Sequence, residues 1–355
     1  VRYYDIKIFK AGTTTLVKEY TSFPKVGGSN QNDPGALNII FDIYLYTFAK
    51  PAGQPMIQIW GVGLDDIAQA ANFTGCQIEL YAGFQKGLPL NNPKQAGLIM
   101  SGTIWQSFAN WQGTDMTLDF VVYGSGATAD QDANLSFSWT AGTPLATAIA
   151  TTLKTAFHNL KQNIQVNPKL VLAHDEIGTY QSLVQLAQTL KPITQDAIGG
   201  DYQGVDIVLT PDLITVYDGS TQAAPTVLAF QDMIGQPTWI ENQIIQFVCP
   251  MRSDLIVPNY IKMPQGLLGV PGAVVTTTAS QPQARQKSAF NGVFLINQVH
   301  HMGNFRQPTG DSWISVFNAV VVPGDAKSTS TPTPAAPSTA NNSSGTYNTP
   351  QYGPS

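Results

Sequence analysis

The densest ionisable cluster in this sequence is His174-Asp175-Glu176, and a second suggestive pair is His300-His301. A metal centre needs His, Cys or carboxylate ligands converging on one point. Beyond those three histidines there is only His158. Adjacent strand residues point to opposite faces, so His300 and His301 do not converge if their segment is extended. His174-Asp175-Glu176 precedes a predicted helix and reads as a solvated turn whose carboxylates favour the helix N-terminus. Glycoside hydrolysis needs two facing carboxyl groups. Asp65-Asp66, Asp115, Asp119 and Asp311 could supply such a pair, but Asp65-Asp66 before IAQAA is a helix-start signal. The sequence has no G-x-S-x-G elbow, phosphate-cradling glycine loop or paired C-x-x-C. Cys76 and Cys249 sit in apolar strand contexts and are expected as buried thiols without a disulfide framework. The 13 Tyr and 6 Trp fall mostly at alternating strand positions, where core packing is the default. The expectation is therefore a non-enzymatic protein with no catalytic, cofactor-binding or metal-ligating residue and no cofactor.

Composition narrows the class. A chain of 355 residues is long enough for two or three cores. Only 12% of it is charged, about half the usual share, and Gln, Asn, Thr and Ser supply solubility instead. Such a surface repels copies of itself weakly and suits a subunit of an assembly. The net charge of −5, with no Lys/Arg cluster, lacks the footprint needed to hold a phosphate backbone, so nucleic-acid binding is not expected. No apolar run approaches the ~20 residues of a membrane span. VRYYDIKIFK begins directly as a strand, which suggests a chain made and kept in a cytoplasm before assembly.

Alternation predicts strands over RYYDIKIF, FDIYLYTF (41–48), MIQIWGV, CQIELYAGF, LIMSGTIWQSFANW and TDMTLDFVVYG, with a short helix or loop at LDDIAQAANFTG. These make a first antiparallel β-barrel over 1–125. A helical period then appears: Leu145, Ile149, Leu153, Phe157 and Leu160 form one stripe, with Thr143-Pro144 as N-cap and first-turn pair. A second helix is expected over Tyr180 to Leu190. With strands LSFSWTA, VDIVLT and LITVYDG, this gives a small α/β insert over 126–222. IIQFVCPM, the run around Asn259 to Met263, GAVVTTTAS, SAFNGVFLINQVHHMG and SWISVFNAVVV make a second barrel over 223–323, with QARQK (283–287) as an exposed loop. Residues 324–355 are Ser, Thr, Pro, Ala, Asn and Gly almost throughout. They cannot form a core and are expected to lie extended against a neighbouring chain, anchored by Tyr347 and Tyr352.

One stretch echoes another. GTIWQSFANWQGTDMTLDF (102–120) and GVFLINQVHHMGNFRQPTGDSWISVFNAV (292–320) each open on a glycine, with a second glycine eleven positions later, Gly113 and Gly303. Each closes on a strand ending in Phe, seven residues after a turn glycine: Gly113 to Phe120 and Gly310 to Phe317. The echo predicts two copies of one β-domain. The longer NFRQPTG turn of the second copy is expected to project and make a contact that the first copy lacks.

Four stretches carry a resemblance: IQIWGVGLDDIAQAANFTGCQIELYAGF, GLIMSGTIWQSFANWQGTDMTLDF, FQDMIGQPTWIENQIIQFVCPMRSDLIVPNYIKMP and FLINQVHHMGNFRQPTGDSWISVFNAVV. Over residues 1–323 the chain resembles the baseplate hub proteins of contractile-tailed bacteriophages; Pro258-Asn259 departs from the glycine many relatives carry. The resemblance implies a mainly β fold with two tail-tube-like antiparallel β-barrels. It also implies a homotrimer forming a nearly six-fold ring, which joins a six-fold tail tube to a three-fold spike in a virion assembled in the host cytoplasm. Implied partners are tube, central spike, tape-measure and baseplate wedge proteins. The alternatives are a carbohydrate-binding or glycan-degrading tail protein, and the hub of a contractile injection or type VI secretion spike.

Overall fold

The computed structural model describes residues 1–47, 55–85, 92–124, 134–158, 160–200, 202–209, 213–220, 224–241, 243–264, 290 and 292–322. In chain order the strands are β1 (Arg2–Phe9), β2 (Leu16–Thr21), the short pair β3 (Lys25–Val26) and β4 (Ser29–Asn30), β5 (Asn38–Tyr46) and β6 (Met56–Trp60). Helix α1 (Leu64–Gln69) precedes β7 (Gln77–Phe84), β8 (Gly97–Gln112) and β9 (Asp115–Gly124). Next come β10 (Leu135–Trp139), α2 (Leu145–Ala156), β11 (Lys161–Gln165), β12 (Glu176–Tyr180), α3 (Leu183–Ile198), β13 (Asp206–Leu209) and β14 (Leu213–Tyr217). The chain returns to β15 (Thr226–Val227), β16 (Thr238–Trp239), β17 (Ile244–Pro250), β18 (Tyr260–Lys262), β19 (Val293–Asn304) and β20 (Trp313–Val321). The predicted strand over GAVVTTTAS, the QARQK loop and the tail 324–355 lie outside the described residues.

The protein is mainly antiparallel β, with two related barrel modules and a small α/β insert. Both modules belong to one 13-stranded sheet, whose main path runs β16-β17-β20-β19-β5-β6-β9-β8-β7-β1-β2. Alternation makes the strands two-faced: in β5, Ile39, Phe41 and Ile43 are buried, and in β10, Leu135, Phe137 and Trp139 are. The first module's core gathers Tyr4, Ile6, Ile8, Phe73, Leu118 and Phe120, and it also takes in Met251 and Trp313 from the second. The second core centres on Phe247, Phe294, Val299 and Phe317 and takes Val208 and Tyr217 from the insert.

The duplication is topological. β5, β6, β7, β8 and β9 pair as β5·β6, β6·β9, β9·β8 and β8·β7, all antiparallel. The strands β16, β17, β18, β19 and β20 repeat the scheme as β16·β17, β17·β20, β20·β19 and β19·β18, again all antiparallel. Each long hairpin also carries a register shift, at Trp105 in the first and Asn297 in the second. Matching the shifts sets Phe120 with Phe317, as the echo predicts, and also Val122 with Ala319. It also sets Trp111, not Gly113, with Gly303. Gly113 is a turn glycine at φ +62°, whereas Gly303 lies inside β19, where a Cβ would overlap the Phe41 ring. The two glycines share a letter and differ in cause.

The insert packs α2 and α3 against β10·β12 and the sheet β11-β14-β13. Pro144 is itself the N-cap of α2, not its first helical residue. The second helix starts later and runs further than its sequence stripe: Tyr180 closes β12, and Ser182 caps α3 by accepting from Gln185 N. His174-Asp175-Glu176 thus leads into a strand, with Asp175 accepting from Ala141 N. At the departure Pro258-Asn259, Asn259 makes the turn without glycine, its side chain accepting from Ile256 N and its own N–H donating to Ile256 O.

Candidate interaction surfaces

The residues that could do chemistry are dispersed. His158 and His174 are exposed in the insert, while His300 and His301 lie on β19 and face opposite ways. His301 is buried, its Nδ1 2.8 Å from Ser315 Oγ, and burial pulls it down to about 3, so the ring is neutral. His300 stacks on Tyr44 with ring centroids 3.7 Å apart and pairs with Asp42. Among the described residues, no group of three His, Cys, Asp or Glu is placed to hold a metal. Cys76 and Cys249 are free and buried, and burial pushes the Cys249 thiol up to about 12, leaving it protonated.

The carboxylates fare similarly. Asp65 and Asp66 occupy the first turn of α1, where Asp66 pairs with Lys18. Asp115 and Asp119 lie on one face of β9, four residues apart. At ~3.3 Å per residue they stand about 13 Å from each other, beyond the span of a hydrolytic pair. A cavity of about 400 Å³ lies between the insert and the second module, lined by Lys191, Asp206, Tyr217, Asp218 and Val321 among others. Three of its charged groups are engaged: Lys191 Nζ donates to both Asp206 oxygens at 2.8 Å, and Asp218 accepts from Asn167 N, Tyr202 Oη and Ser220 N.

Two surfaces stand out instead. The first is the seam between the modules. β19 divides its outer edge, pairing Val293–Leu295 with β18 and Gln298–Asn304 with β5. Trp313, at the start of β20, inserts into the first core, donates Nε1–H to Gly83 O and meets Phe41 and Phe305 edge-on. The NFRQPTG turn closes over this plug. Arg2 of β1 donates to the carbonyls of Asn304, Phe305, Gln307 and Thr309 and to Ser312 Oγ. Arg306 reaches back to Pro34 O and Ala36 O. The longer turn makes the extra contact expected of it but does not project: the contact is with the first module, onto which the turn folds back as a clasp. On the other side of the plug, Ser253 N and Oγ donate to Gln95 O. Arg252, 3% exposed, is held by Asp254 and Asp232.

The second surface is the outer half of the β8–β9 hairpin. Trp105, Phe108 and Trp111 are 52%, 48% and 62% exposed, against the expectation that strand aromatics pack inward. Alternation puts Phe108, opposite Asp119, on the outer face and Trp111, opposite Met116, on the inner one. Trp105, at the register shift, tilts against Tyr123. The aromatics thus occupy both faces of an arm and form no single platform for a sugar ring. The available signal was that Gln106, Ser107, Asn110 and Gln112 interrupt both faces, leaving neither continuously apolar.

An antiparallel β protein of two repeated modules, with a sealed seam inside the chain and an open aromatic arm, is the class this geometry defines. No protein-family model matches the chain, and no curated protein matches it in sequence. Among solved structures it is similar to the 43 kDa tail protein of prophage MuSo2 from Shewanella oneidensis, at 8% identity and a TM-score of 0.47, over 90% of this chain and 97% of that one. It is also similar to the E. coli c3393 protein, a type VI secretion system component, at 11% identity and a TM-score of 0.47, over 89% and 76% of the two chains. A tail protein from Neisseria meningitidis MC58 aligns at 10% identity and a TM-score of 0.43, over 90% and 96%.

Proposed function

We propose that the chain is a non-enzymatic structural protein: the hub of a phage tail baseplate, working as a homotrimer. Its domains are a first tube-like barrel (1–125), an α/β insert (126–222), a second tube-like barrel (223–323) and an extended tail (324–355). The observation that carries this reading is the repeated five-strand order, joined edge to edge in one chain. Three copies of such a chain present six equivalent modules around a three-fold axis. One ring can then meet a six-fold tube on one side and a three-fold spike on the other. Low charge and the absence of a convergent reactive cluster among the described residues fit a scaffold whose work is contact. The partners are the tail tube, central spike and tape-measure proteins, with wedge proteins outside the ring, in a virion put together in the host cytoplasm. The same architecture would serve the hub of a contractile injection system.

Native mass spectrometry of the purified chain, alone and with its tail-tube protein, tests this reading. A trimer that captures tube protein at six copies per ring is the expected result. A persistent monomer that ignores tube and spike yet binds or cleaves a polysaccharide would overturn it.

A further inference from the structure

We propose that the outer edge of β8, at Ala109 and Asn110, pairs antiparallel with β16 (Thr238–Trp239) of a second copy of this chain. This pairing repeats between chains the seam that β19 and β5 make within one; only the number of copies rests on the hub reading. By the repeated strand order, β8 is the counterpart of β19 and β16 the counterpart of β5. β19 spends the first part of its outer edge on β18 and the rest on β5. β8 pairs with β7 only from Gly97 to Thr103. Among the described residues, no main-chain partner lies along Gln106–Gln112 on the side away from β9. At the other end of the same sheet, β16 is the outermost strand.

Among the described residues, one chain therefore holds a filled seam and both halves of an unfilled one. The two halves cannot meet along the sheet within a chain: six strands separate them, on the order of 30 Å at the usual strand spacing. A contact that uses different edges on the two partners is heterologous, and it closes into a ring when the rotation permits.

The filled seam also gives the register. Matching the Trp105 and Asn297 shifts puts Phe108 where His300 stands and Asn110 where Met302 stands. Met302 faces Asp42, and carrying the ladders β5·β6 and β16·β17 across sets Thr238 in the place of Asp42. Asn110 should then face Thr238 of the neighbour. Phe108 should be covered as His300 is covered by Tyr44. Pro237, with no N–H to offer, ends the ladder at Trp111. The pairing accounts for the aromatic side chains left bare on a strand with an open edge, a combination that soluble proteins otherwise protect.

The full chain carrying Asn110→Cys and Thr238→Cys together tests the register, since Cys76 and Cys249 are buried. Mild oxidation should give covalent oligomers that end in a closed trimer, and either single variant should give none. Cross-linked rings of another number would support the strand pairing and remove the trimeric reading. A native trimer that does not cross-link would overturn the pairing and leave the hub reading standing. Hydrogen exchange on the wild-type chain needs no variant: amides around Ala109 and Asn110 should slow at concentrations where copies associate, and exchange at the same rate in monomer and oligomer would sink the pairing. Phe108→Asp, at an exposed position, should weaken association by about 100-fold, because a buried unpaired carboxylate forfeits that much affinity.

Discussion

At the residue scale, the buried polar groups His301, Ser312, Ser315 and Arg252 sit where the second module meets the first. His301 is held neutral beside Ser315, with burial as the main cause of its low affinity for protons. In the unfolded chain it titrates near 6.5. Because its folded value is depressed, the unfolded state takes up the proton first as pH falls. Stability from this residue is complete above about pH 6.5 and declines toward the folded value near 3. Between pH 7 and pH 5 the decline is about 2 kcal/mol. Urea titrations at the two pH values should show that drop in the wild type and a flatter response in His301→Gln. Equal slopes would mean the ring finds a partner for its proton. Arg2 supports the same region from outside, donating to five acceptors in the 304–312 turn. Arg2→Met keeps the stem and removes those charge-assisted bonds, with an expected cost of about 2 kcal/mol. Limited proteolysis should then cut within Asn304 to Ser312, where the wild type resists.

At the scale of elements, the seam depends on a close approach of β19 to β5. Gly303 has Phe41 lying where a side chain would be. Gly303→Ala should therefore destabilise by about 1–3 kcal/mol through overpacking. Phe41→Leu should relieve part of that loss, so the double variant should be more stable than additivity allows by about 1 kcal/mol. Strict additivity in denaturant unfolding would show that the two do not touch. How far the sequence could be read follows from the same residues. Strands such as β5 and β10 were legible because one face is apolar at every second position. Phe120 and Phe317 could be matched because both end up in module cores, fully buried. The glycine match slipped because Gly113 answers a turn while Gly303 answers a ring, so the shared spacing marks different places in the two hairpins. The seam had no local signal, since Gln298–Asn304 and Ile40–Tyr46 are far apart in the chain and either strand could have had another neighbour. The exposed arm was misread because an aromatic in a strand says it wants cover, not which chain supplies it.

For the molecule as a whole, the question is which cores melt together. The two β modules are coupled by a seven-residue ladder between β19 and β5, and by Met251 and Trp313 entering the first core from the second module. The insert has its own core and lends Val208 and Tyr217 to the second, but the cavity of about 400 Å³ lies at that junction. The modules should therefore unfold as one cooperative unit, with the insert resolving as a separate calorimetric transition. Trp313→Ala is the discriminating variant, because the side chain belongs to the second module by sequence and to the first by packing. Its loss should cost about 3–5 kcal/mol, which for a unit of this size lowers the shared transition by about 10 °C. The insert transition should stay where it was. If Trp313→Ala instead splits the β transition in two, with only the first module's signal moving, the modules are independent barrels and the seam is a contact between finished folds. If the single β transition moves intact, the seam is part of the fold, and a chain built this way cannot open between its modules without unfolding both.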